Sequence, residues 1–446
     1  MSADINRNVI PVQRVTDPDS GVLPAVVLDV ELSEPLPTVA AVQPDGRRAQ
    51  QAWVLVRLFT EPLGDVLVDV PEDGLLPAAL AAAIEAKLGD VLRPRLGGGP
   101  VPVRGFTPAT EPEFLAKRRE VLATAPHITV VICTRERPEA LGKALDSVLA
   151  QQYPAFRVLV VDNAPVSDAT AEVVRQAASR GPVDYIKEPK AGLSFARNAA
   201  VKAAPGQILA WLDDDELADP HWLAEIARAL HEHPEADVVS GVVVPAELDT
   251  RAQMWFEQFG GHSKGRGFKP DVFSPATAHI QSPLYPLPPF GTGANMTFRP
   301  GVIERIGMWD TALGAGTPSG GSEDTLALTQ VLLTGGTIVY QPTAVTHHYH
   351  RRDLEGLRKQ MVGYGTGLVA AYTSLLMNRP TIIFALLKLV PGALRDLTGS
   401  DSLRVSTLQD DFPRELLSAN RRGMLAGPRA YLKGRREARA KVRGER

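Results

Sequence analysis

Short apolar runs alternate with amphipathic segments between residues 127 and 244. The apolar runs predict buried strands at residues 128–133, 158–161, 183–186, 208–212 and 238–244. The segments between the runs repeat their apolar residues at helical spacing, which predicts helices at residues 138–149, 169–178, 192–203 and 220–231. Alternation of strands and helices at this spacing is typical of the α/β class. We therefore expect a mostly parallel sheet with helices on both faces.

The two ends of the chain follow other patterns. Residues 1–100 predict a small α+β domain, with strands near 26–32, 53–59 and 66–70 and a helix at 78–88. This domain carries no cluster of catalytic residue types, so we expect a structural or subunit-contacting role. Residues 101–126 predict a linker and a lead-in helix, residues 127–352 the α/β domain, and residues 353–446 a helical region with a basic tail.

Acidic residues follow the strand predicted at 208–212. Asp213, Asp214 and Asp215 stand in a row, at a carboxyl end of the sheet where open α/β folds bind ligands. Residues two apart on a strand share a face, so we expect Asp213 and Asp215 to point the same way and Asp214 elsewhere. Two carboxylates suit Mg²⁺ or Mn²⁺. A solvated acidic loop is the alternative interpretation.

Composition excludes several classes of protein. A length of 446 residues leaves room for two or three domains, and the net charge of −3 gives no reason to expect nucleic-acid binding. Cys133 is the one cysteine, so neither a disulfide framework nor a cysteine-based zinc site is expected. The first residues lack the layout of a signal peptide, and no apolar run reaches the roughly 18–20 residues of a membrane span. We expect a cytoplasmic protein.

Six motifs occur in one order along the α/β segment. They are 134–138 after the first strand, 162–163 after the second, the helix opening at 192–198, the three aspartates, the pair Glu323 and Asp324, and the histidines at 347–350. In this order and context the segment 127–352 resembles the family 2 glycosyltransferases, whose GT-A fold is Rossmann-like. Cys133 departs from the family pattern, in which a proline is frequent, and residues 251–289 match no part of it. The resemblance implies transfer of a sugar from a nucleotide-diphosphate sugar to an acceptor hydroxyl.

The resemblance also implies a cofactor, Mn²⁺ or Mg²⁺. A divalent cation stabilises a departing diphosphate without a proton donor. Asp215 is the favoured ligand, and Asp213 shares the cation or holds the ribose. A histidine after the last core strand completes such sites in the family. Of the two adjacent candidates we favour His348 over His347 because of its spacing to His350. An ordinary core or surface imidazole is the alternative for each.

Further residues are implied to bind the nucleotide-sugar. Asp162 would accept a hydrogen bond from the base, although an Asp in a turn is a competing interpretation. Arg197 would reach the base or diphosphate, with a surface cation as its alternative. Trp309 would stack on a sugar, unless it is a core residue. The remaining expected contacts are Thr134, Arg135, Glu136, Asp213, Asp214 and Gly293. A UDP-sugar is the favoured donor, with GDP- and dTDP-sugars as alternatives.

Asp324, with Glu323 beside it, is the predicted general base of an inverting transfer. Inversion needs a carboxylate near the acceptor hydroxyl. The pair opens a predicted helix with Ser322 as its N-cap, and the positive helix end should keep both acids ionised. Simple capping acids are the alternative. The alternative functions are a retaining transferase of the same fold, a sugar-phosphate nucleotidyltransferase and a silent nucleotide-binding scaffold. The nucleotidyltransferase would need a glycine-rich loop at 134–138, which contains no glycine.

The C-terminal region raises a hypothesis about partners. Residues 368–377 and 381–390 are apolar nearly all round, and residues 421–446 are rich in Arg and Lys. Apolar helices followed by a basic tail can attach a protein to an anionic membrane. Contact with the inner membrane face through 366–446 would suit a lipid-linked acceptor. The alternative is a helix pair packed on the catalytic domain, followed by a solvated tail. The acceptor and the oligomeric state stay open, a homo-oligomer included.

Overall fold

A computed structural model of the protein describes residues 21–263, 266–277, 284, 290–398, 408 and 411–444. In the helix that ends at Thr398, side-chain exposure is described only up to residue 392. The small N-terminal unit consists of β1 (Val22–Glu31), β2 (Arg48–Leu58), β3 (Glu61–Asp69) and α1 (Pro77–Leu92).

The N-terminal unit builds its own core from apolar residues of its sheet and α1. β1 runs parallel to β2, and β2 and β3 form an antiparallel hairpin. The hairpin turns at Phe59 and Thr60, which both have positive φ. The backbone amides of these two residues donate to the carboxylate of Glu31, which satisfies the turn.

A nine-stranded mixed sheet forms the centre of the large unit within the described residues, in the order β10-β12-β9-β11-β7-β4-β5-β6, with β8 paired to β12. Its strands are β4 (Ile128–Thr134), β5 (Phe156–Asn163), β6 (Val183–Glu188), β7 (Ile208–Asp213), β8 (Glu216–Ala218), β9 (Val238–Pro245), β10 (Asp271–Phe273), β11 (Asn295–Phe298) and β12 (Ile338–His348). β4 to β7 pair in parallel, as predicted. β11 runs antiparallel to both of its neighbours, so the other half of the sheet is mixed.

Helices cover both faces of this sheet. They are α2 (Glu113–Ala123), α3 (Pro138–Leu149), α4 (Ala169–Ala178), α5 (Leu193–Ala203), α6 (Trp222–Glu232), α7 (Arg251–Gln258), α8 (Val302–Arg305) and α9 (Glu323–Leu333). Alternate residues of the strands face opposite layers. In β7, Trp211 packs in the core with α5, α8 and α9, whereas Leu212 packs in the core with α3, α4 and α6. The predicted α/β class with flanking helices is confirmed.

Three details differ from the sequence predictions. β12 extends to His348, so His347 and His348 belong to the strand rather than to a following loop. It is this long because β9 and β8 both pair with its final residues. Ser322 does not cap α9 through its side chain and instead has a positive φ of 65°. Residues 251–289, which match no part of the family pattern, include α7, which begins with a capping box between Thr250 and Gln253.

The C-terminal region is helical, as predicted, with α10 (Leu354–Asn378), α11 (Ile383–Thr398) and α12 (Arg414–Arg443). Glycines let α10 and α12 approach closely. A Cβ on Gly365 would lie 2.0 Å from the carbonyl oxygen of Asn420, and a Cβ on Gly423 would lie 2.3 Å from that of Val362. Lys441 Nζ donates to the carbonyl of Ala191 at 2.8 Å, which ties the end of α12 to the large unit. Among the helices described, none is both long and apolar enough to cross a membrane.

Buried ion pairs join the N-terminal unit and α2 to the large unit. Arg57, at the end of β2, is 2.8 Å from the carboxylate of Asp219. Arg118 of α2 is 2.7 Å from the carboxylate of Glu225 in α6, whose side chain is fully buried. Buried charges are costly to separate once they are paired, so these contacts hold the two units in one arrangement.

Candidate active site

A cavity of about 1350 Å³ lies at the carboxyl ends of β4 and β7. This is the edge at which the sequence placed a ligand site. Most of the predicted site residues line its wall, namely Thr134, Arg135, Arg197, Asp213, Asp214, Asp215, Gly293, Glu323, Asp324 and His348. Four others do not: Glu136, Asp162, Trp309 and His347.

The three aspartates sit where β7 gives way to a turn. β7 ends at Asp213, so strand alternation does not extend to the next two residues. Asp214 and Asp215 converge on Arg137, whose guanidinium bonds both carboxylates. Thr134 also donates its hydroxyl to Asp214 at 2.7 Å. The expectation that Asp214 points away from its neighbours is therefore wrong, because the turn brings all three carboxylates to the cavity.

Asp215 is the most strongly ionised of the three. Its Oδ2 is 2.9 Å from Arg137 and 3.9 Å from Arg351, and its Oδ1 is 3.5 Å from Nε2 of His348. Burial acts to raise the pKa of Asp215, but His348 and Arg137 outweigh it and hold the pKa well below its usual range. Asp215 is thus a charged oxygen ligand throughout the physiological pH range.

Asp213 and Glu323 share Arg197. This arginine is 2% exposed, and its guanidinium lies 3.0 Å from Glu323 and 3.7 Å from Asp213. Desolvation by the surrounding protein raises the pKa of Asp213 to about 7, although Arg197 opposes it. Burial also raises the pKa of Glu323. Desolvation therefore acts against the helix end, which was expected to keep Glu323 ionised.

Asp324 is held by backbone amides. Gly293 donates its N–H to Oδ2 of Asp324 at 2.7 Å, and Thr325 donates its N–H to Oδ1 at 2.7 Å. A Cβ on Gly293 would lie 2.8 Å from Cβ of Asp324, so only glycine permits this approach. The carboxylate lies on the cavity wall at the start of α9, next to Glu323.

The histidines divide between two sides of β12. His348 faces the cavity, whereas His347 lies on the side of Arg57 and Asp219, whose charges act on its pKa. His347 therefore does not reach the acidic cluster, because neighbouring strand residues point to opposite faces. Burial lowers the pKa of His348, which favours the neutral ring at pH 7. His262 adds a third imidazole beside His348 and His350, and the three ligand atoms lie within 4.8 Å of one another.

The remaining predicted residues lie behind or beside the wall. Asp162 is buried and accepts the hydroxyl proton of Tyr185 at 2.6 Å, while its Oδ1 has no hydrogen-bond partner among the described residues. Burial raises the pKa of Asp162. Glu136 accepts from the backbone of Val166 and Ser167.

Trp309 is a core residue, which corrects the expectation of sugar stacking. Its ring packs edge-on against Trp211 at 5.5 Å between centroids, and only 3% of the residue is exposed. The guanidinium of Arg197 lies over the same ring at 4.8 Å. Trp309 therefore packs against the guanidinium of Arg197 and does not line the cavity.

Sequence reasoning missed several residues of the wall. Arg137 stands directly before the proline that opens α3, and its place within the 134–138 motif was the signal that could have found it. Glu257 and His262 lie in a segment without periodicity, so no sequence pattern could place them. The N-terminal unit also contributes to the wall, through Trp53, Asp65, Leu67 and Lys87. This unit therefore does more than support the fold.

The donor atoms fit a divalent cation. Asp213 and Asp215 offer carboxylate oxygens, and His348 offers an imidazole nitrogen on the same wall. A mixed set of oxygen and nitrogen ligands suits Mn²⁺ better than Mg²⁺, which prefers oxygen alone.

Sequence comparison finds a family model and relatives that match part of this chain. Residues 129–307 match the family model of glycosyl transferase family 2. The glucosyl-dolichyl phosphate glucuronosyltransferase of Haloferax volcanii is 26% identical over 42% of this chain and 57% of its own length. The succinoglycan biosynthesis protein ExoM of Rhizobium meliloti is 29% identical over 50% of this chain and 66% of its own length.

A solved structure of the mannosyltransferase PcManGT from Pyrobaculum calidifontis, in complex with GDP-Man and Mn²⁺, is similar at a TM-score of 0.42 and 20% identity. That similarity covers 82% of this chain and 87% of the mannosyltransferase. The chain spans about 57% and 66% of the lengths of the two curated relatives above. The central α/β part of the chain is therefore similar to glycosyl transferase family 2 over residues 129–307.

Proposed function

We propose that the protein is a glycosyltransferase that moves a sugar from a nucleotide-diphosphate sugar to an acceptor hydroxyl. One observation carries the proposal: Asp213, Asp215, His348 and Asp324 line one cavity of a chain with a family 2 domain. A cation site and a carboxylate within one cavity are what displacement of a diphosphate by a hydroxyl requires.

Mn²⁺, or Mg²⁺ in its place, is the proposed cofactor, held by Asp215, Asp213 and His348. When bound there, the cation would neutralise the charge that develops on the departing diphosphate. Arg137 and Arg351 lie within 4 Å of Asp215 and add positive charge on the same side of the cavity. Their role is to bind the phosphate oxygens of the donor.

The nucleotide is proposed to lie over the ends of β4 and β5. Thr134 and Arg135 line the cavity there. The Oδ1 of Asp162 lies one strand further along, buried behind the cavity wall, and would have to be uncovered to accept the imide N–H of a uracil or the N–H groups of a guanine. A UDP-sugar is the favoured donor, with GDP- and dTDP-sugars as alternatives.

Asp324 is the proposed general base of an inverting displacement. Both of its oxygens already accept backbone amides, which fixes the direction of its remaining lone pairs. Glu323 is tied to Arg197 and is more deeply buried, so it positions the arginine rather than taking the proton. The acceptor hydroxyl would approach Asp324 on the side of the cavity closed by α10, where Tyr364 lies.

A membrane surface is the proposed location of the acceptor. α11 exposes Phe384 and Leu387, at 71% and 58%, together with Lys388. α12 carries ten Arg and Lys residues against Glu415 and Glu437. An exposed apolar stripe beside a basic helix fits the interface of an anionic bilayer, with a lipid-linked acceptor as the matching substrate class.

A thermal-shift screen with UDP-, GDP- and dTDP-sugars, each with and without Mn²⁺, tests the function. A donor that binds the folded state raises the unfolding temperature, and more so with the cation present. The donor so found is then assayed for hydrolysis and transfer, and NMR of the product gives the anomeric configuration. No shift and no turnover with any donor would overturn the proposal, and a retained anomeric configuration would remove the inverting mechanism.

A further inference from the structure

Four side chains form a chain of contacts that ends at the proposed cation site. Glu257 Oε1 is 2.7 Å from Nε2 of His350, and Nδ1 of His350 is 2.9 Å from Nδ1 of His348. Nε2 of His348 then faces Oδ1 of Asp215 at 3.5 Å. The side chains of His350 and His348 are only 1% and 8% exposed, so water does not compete strongly for these contacts.

When the rings of His350 and His348 are both neutral, their hydrogen bonds determine which nitrogen of each ring carries the proton. A carboxylate only accepts, so Glu257 takes the Nε2–H of His350. The Nδ1 of His350 then carries a lone pair. His348 must donate its Nδ1–H to that lone pair, because the two nitrogens are at hydrogen-bond distance. The Nε2 of His348 is left as a lone pair.

That lone pair faces a carboxylate oxygen, so two acceptors meet across 3.5 Å. Such an arrangement is unfavourable unless a proton or a metal cation lies between them. An octahedral cation about 2.1 Å from two ligand atoms at a right angle holds them about 3 Å apart. The observed spacing is close to this value, so the chain of contacts prepares His348 for a cation.

We propose that Glu257 and His350 are positioning residues that hold His348 in its Nδ1–H tautomer and so present its Nε2 lone pair to the divalent cation. The proposal rests on the cation site of the proposed function and names residues that act behind it. Metal-binding histidines are commonly oriented by such a carboxylate or carbonyl partner. Here the orientation is relayed through a second imidazole.

The local structure makes Glu257 and His350 rigid partners. α7 carries Glu257, and its Gln253 donates a side-chain N–H to the carbonyl of His350 at 3.3 Å. Phe256 packs edge-on against the ring of His350, with centroids 4.7 Å apart. Three residues of α7 therefore contact His350, two residues beyond β12, and these contacts fix the ring that orients His348.

Imidazole ¹⁵N NMR of the full chain tests the tautomer directly. The spectra are recorded at pH 8, and His348→Asn identifies the signals. We expect a protonated Nδ1 and an unprotonated Nε2 on His348, with and without Mg²⁺. Glu257→Ala should mix the two tautomers, whereas Glu257→Gln keeps an acceptor oxygen and should preserve the wild-type signals. A protonated Nε2 on wild-type His348 would overturn the proposal.

Mn²⁺ affinity, measured by electron paramagnetic resonance without nucleotide, gives a second readout. Glu257→Ala and His350→Ala should weaken Mn²⁺ binding by about 10- to 100-fold. His350→Asn keeps an acceptor at the position of Nδ1 and should restore part of the loss. His347→Ala is the matched control on the same strand and should bind Mn²⁺ like the wild type. Unchanged affinity in Glu257→Ala, at an unchanged unfolding temperature, would contradict the positioning role.

A three-imidazole site is the competing outcome. If His262, His348 and His350 together bind Zn²⁺, then His262→Ala should abolish Zn²⁺ binding and the Nδ1–H signal of His348 should be lost on loading. That result would overturn the relay. Both readouts are independent of sugar transfer. A protein that shows the expected tautomer and Mn²⁺ binding but transfers no sugar would fail the proposed function and retain this inference.

Discussion

Neighbouring carboxylates in the cavity differ widely in proton affinity. Desolvation raises the pKa of Asp213 to about 7 and that of Asp214 to about 6, whereas His348 and Arg137 hold the pKa of Asp215 well below its usual range despite burial. Distance to an arginine does not account for the order, since Arg137 contacts both Asp214 and Asp215; Asp215 differs in also facing His348 at 3.5 Å. At neutral pH the cluster therefore holds a charged ligand beside one that is about half protonated.

Cation binding should release a proton from Asp213. Because its folded pKa is raised, protonated Asp213 stabilises the metal-free fold fully below the unfolded pKa of about 4, and this stability is lost as pH rises through about 7. A cation needs the ionised form, so Mn²⁺ affinity should increase between pH 6 and pH 8. Calorimetry in buffers of different ionisation enthalpy counts the released protons. Asp213→Asn should flatten the pH dependence, and an equally steep profile in that variant would exclude Asp213 as its source.

Asp324→Asn should abolish sugar transfer while nucleotide binding persists. The amide keeps an oxygen for the N–H of Gly293 but cannot take the acceptor proton. We expect turnover to fall at least about 100-fold, with the thermal shift by the donor preserved. Glu304→Gln makes the same type of change at an exposed acid outside the cavity and serves as control. Wild-type turnover in Asp324→Asn would remove the base role.

At the scale of elements, the α10–α12 pair depends on residues without side chains. Gly365 and Gly423 let the two backbones approach, and Gly427 lies against Val369 and Ala370 in the same way. The hydroxyl of Tyr431 also contacts the hydroxyl of Ser374 in α10 at 2.9 Å. The close approach of these backbones keeps α10 against the cavity, where Tyr364 forms part of the wall.

Gly423→Ala should therefore destabilise the protein. The added methyl group would lie 2.3 Å from a carbonyl oxygen of α10, so a helix must shift, at a cost of about 1–3 kcal/mol. Gly392→Ala in α11 meets nothing within 4 Å and should be neutral or slightly stabilising, because alanine favours the helix. Denaturant unfolding of both variants compares them. Equal stability of the two variants would mean that α12 is not held by this seam.

Elements whose apolar residues repeat regularly within the segment were predictable from sequence. Elements whose length depends on pairing with other strands were not. α3 and α4 have the predicted bounds because their apolar spacing is complete within the segment. β12 is longer than its apolar run because β8 and β9 pair with its polar end. The acidic motif predicted the location of the site. The turn after Asp213 and the helix α7 decide which side chains meet there, and both make contacts distant in sequence.

At the scale of the whole molecule, three regions build one cavity. The N-terminal unit contributes Trp53 and Lys87, the large unit the acidic cluster, and the C-terminal helices Tyr364 and Met424. The apolar face of α11 and the basic face of α12 lie outside this cavity, on the surface. The proposed donor chemistry and the proposed membrane contact are thus assigned to different parts of the chain.

Phe384→Asp combined with Leu387→Asp should reduce binding to vesicles that contain anionic lipid. Both residues are exposed, so the substitutions should leave the unfolding temperature unchanged. The double variant loses two apolar contacts with the bilayer and gains two negative charges, and both changes should weaken its binding to anionic lipid. Val166→Asp, at a site 82% exposed on another surface, is the control. Cosedimentation measures binding, and equal binding by the double variant and the control would exclude α11 as the contact.

The position of the N-terminal sheet has a consequence for protein engineering. A variant that begins at residue 127 would retain the three aspartates, the histidines and the proposed base Asp324, but it would lack one wall of the cavity. Asp219 and Glu225 would also each lose a guanidinium, from Arg57 and Arg118 respectively. Swapping this N-terminal unit between relatives, with those salt bridges preserved, should therefore change one wall of the cavity while leaving the acidic cluster in place.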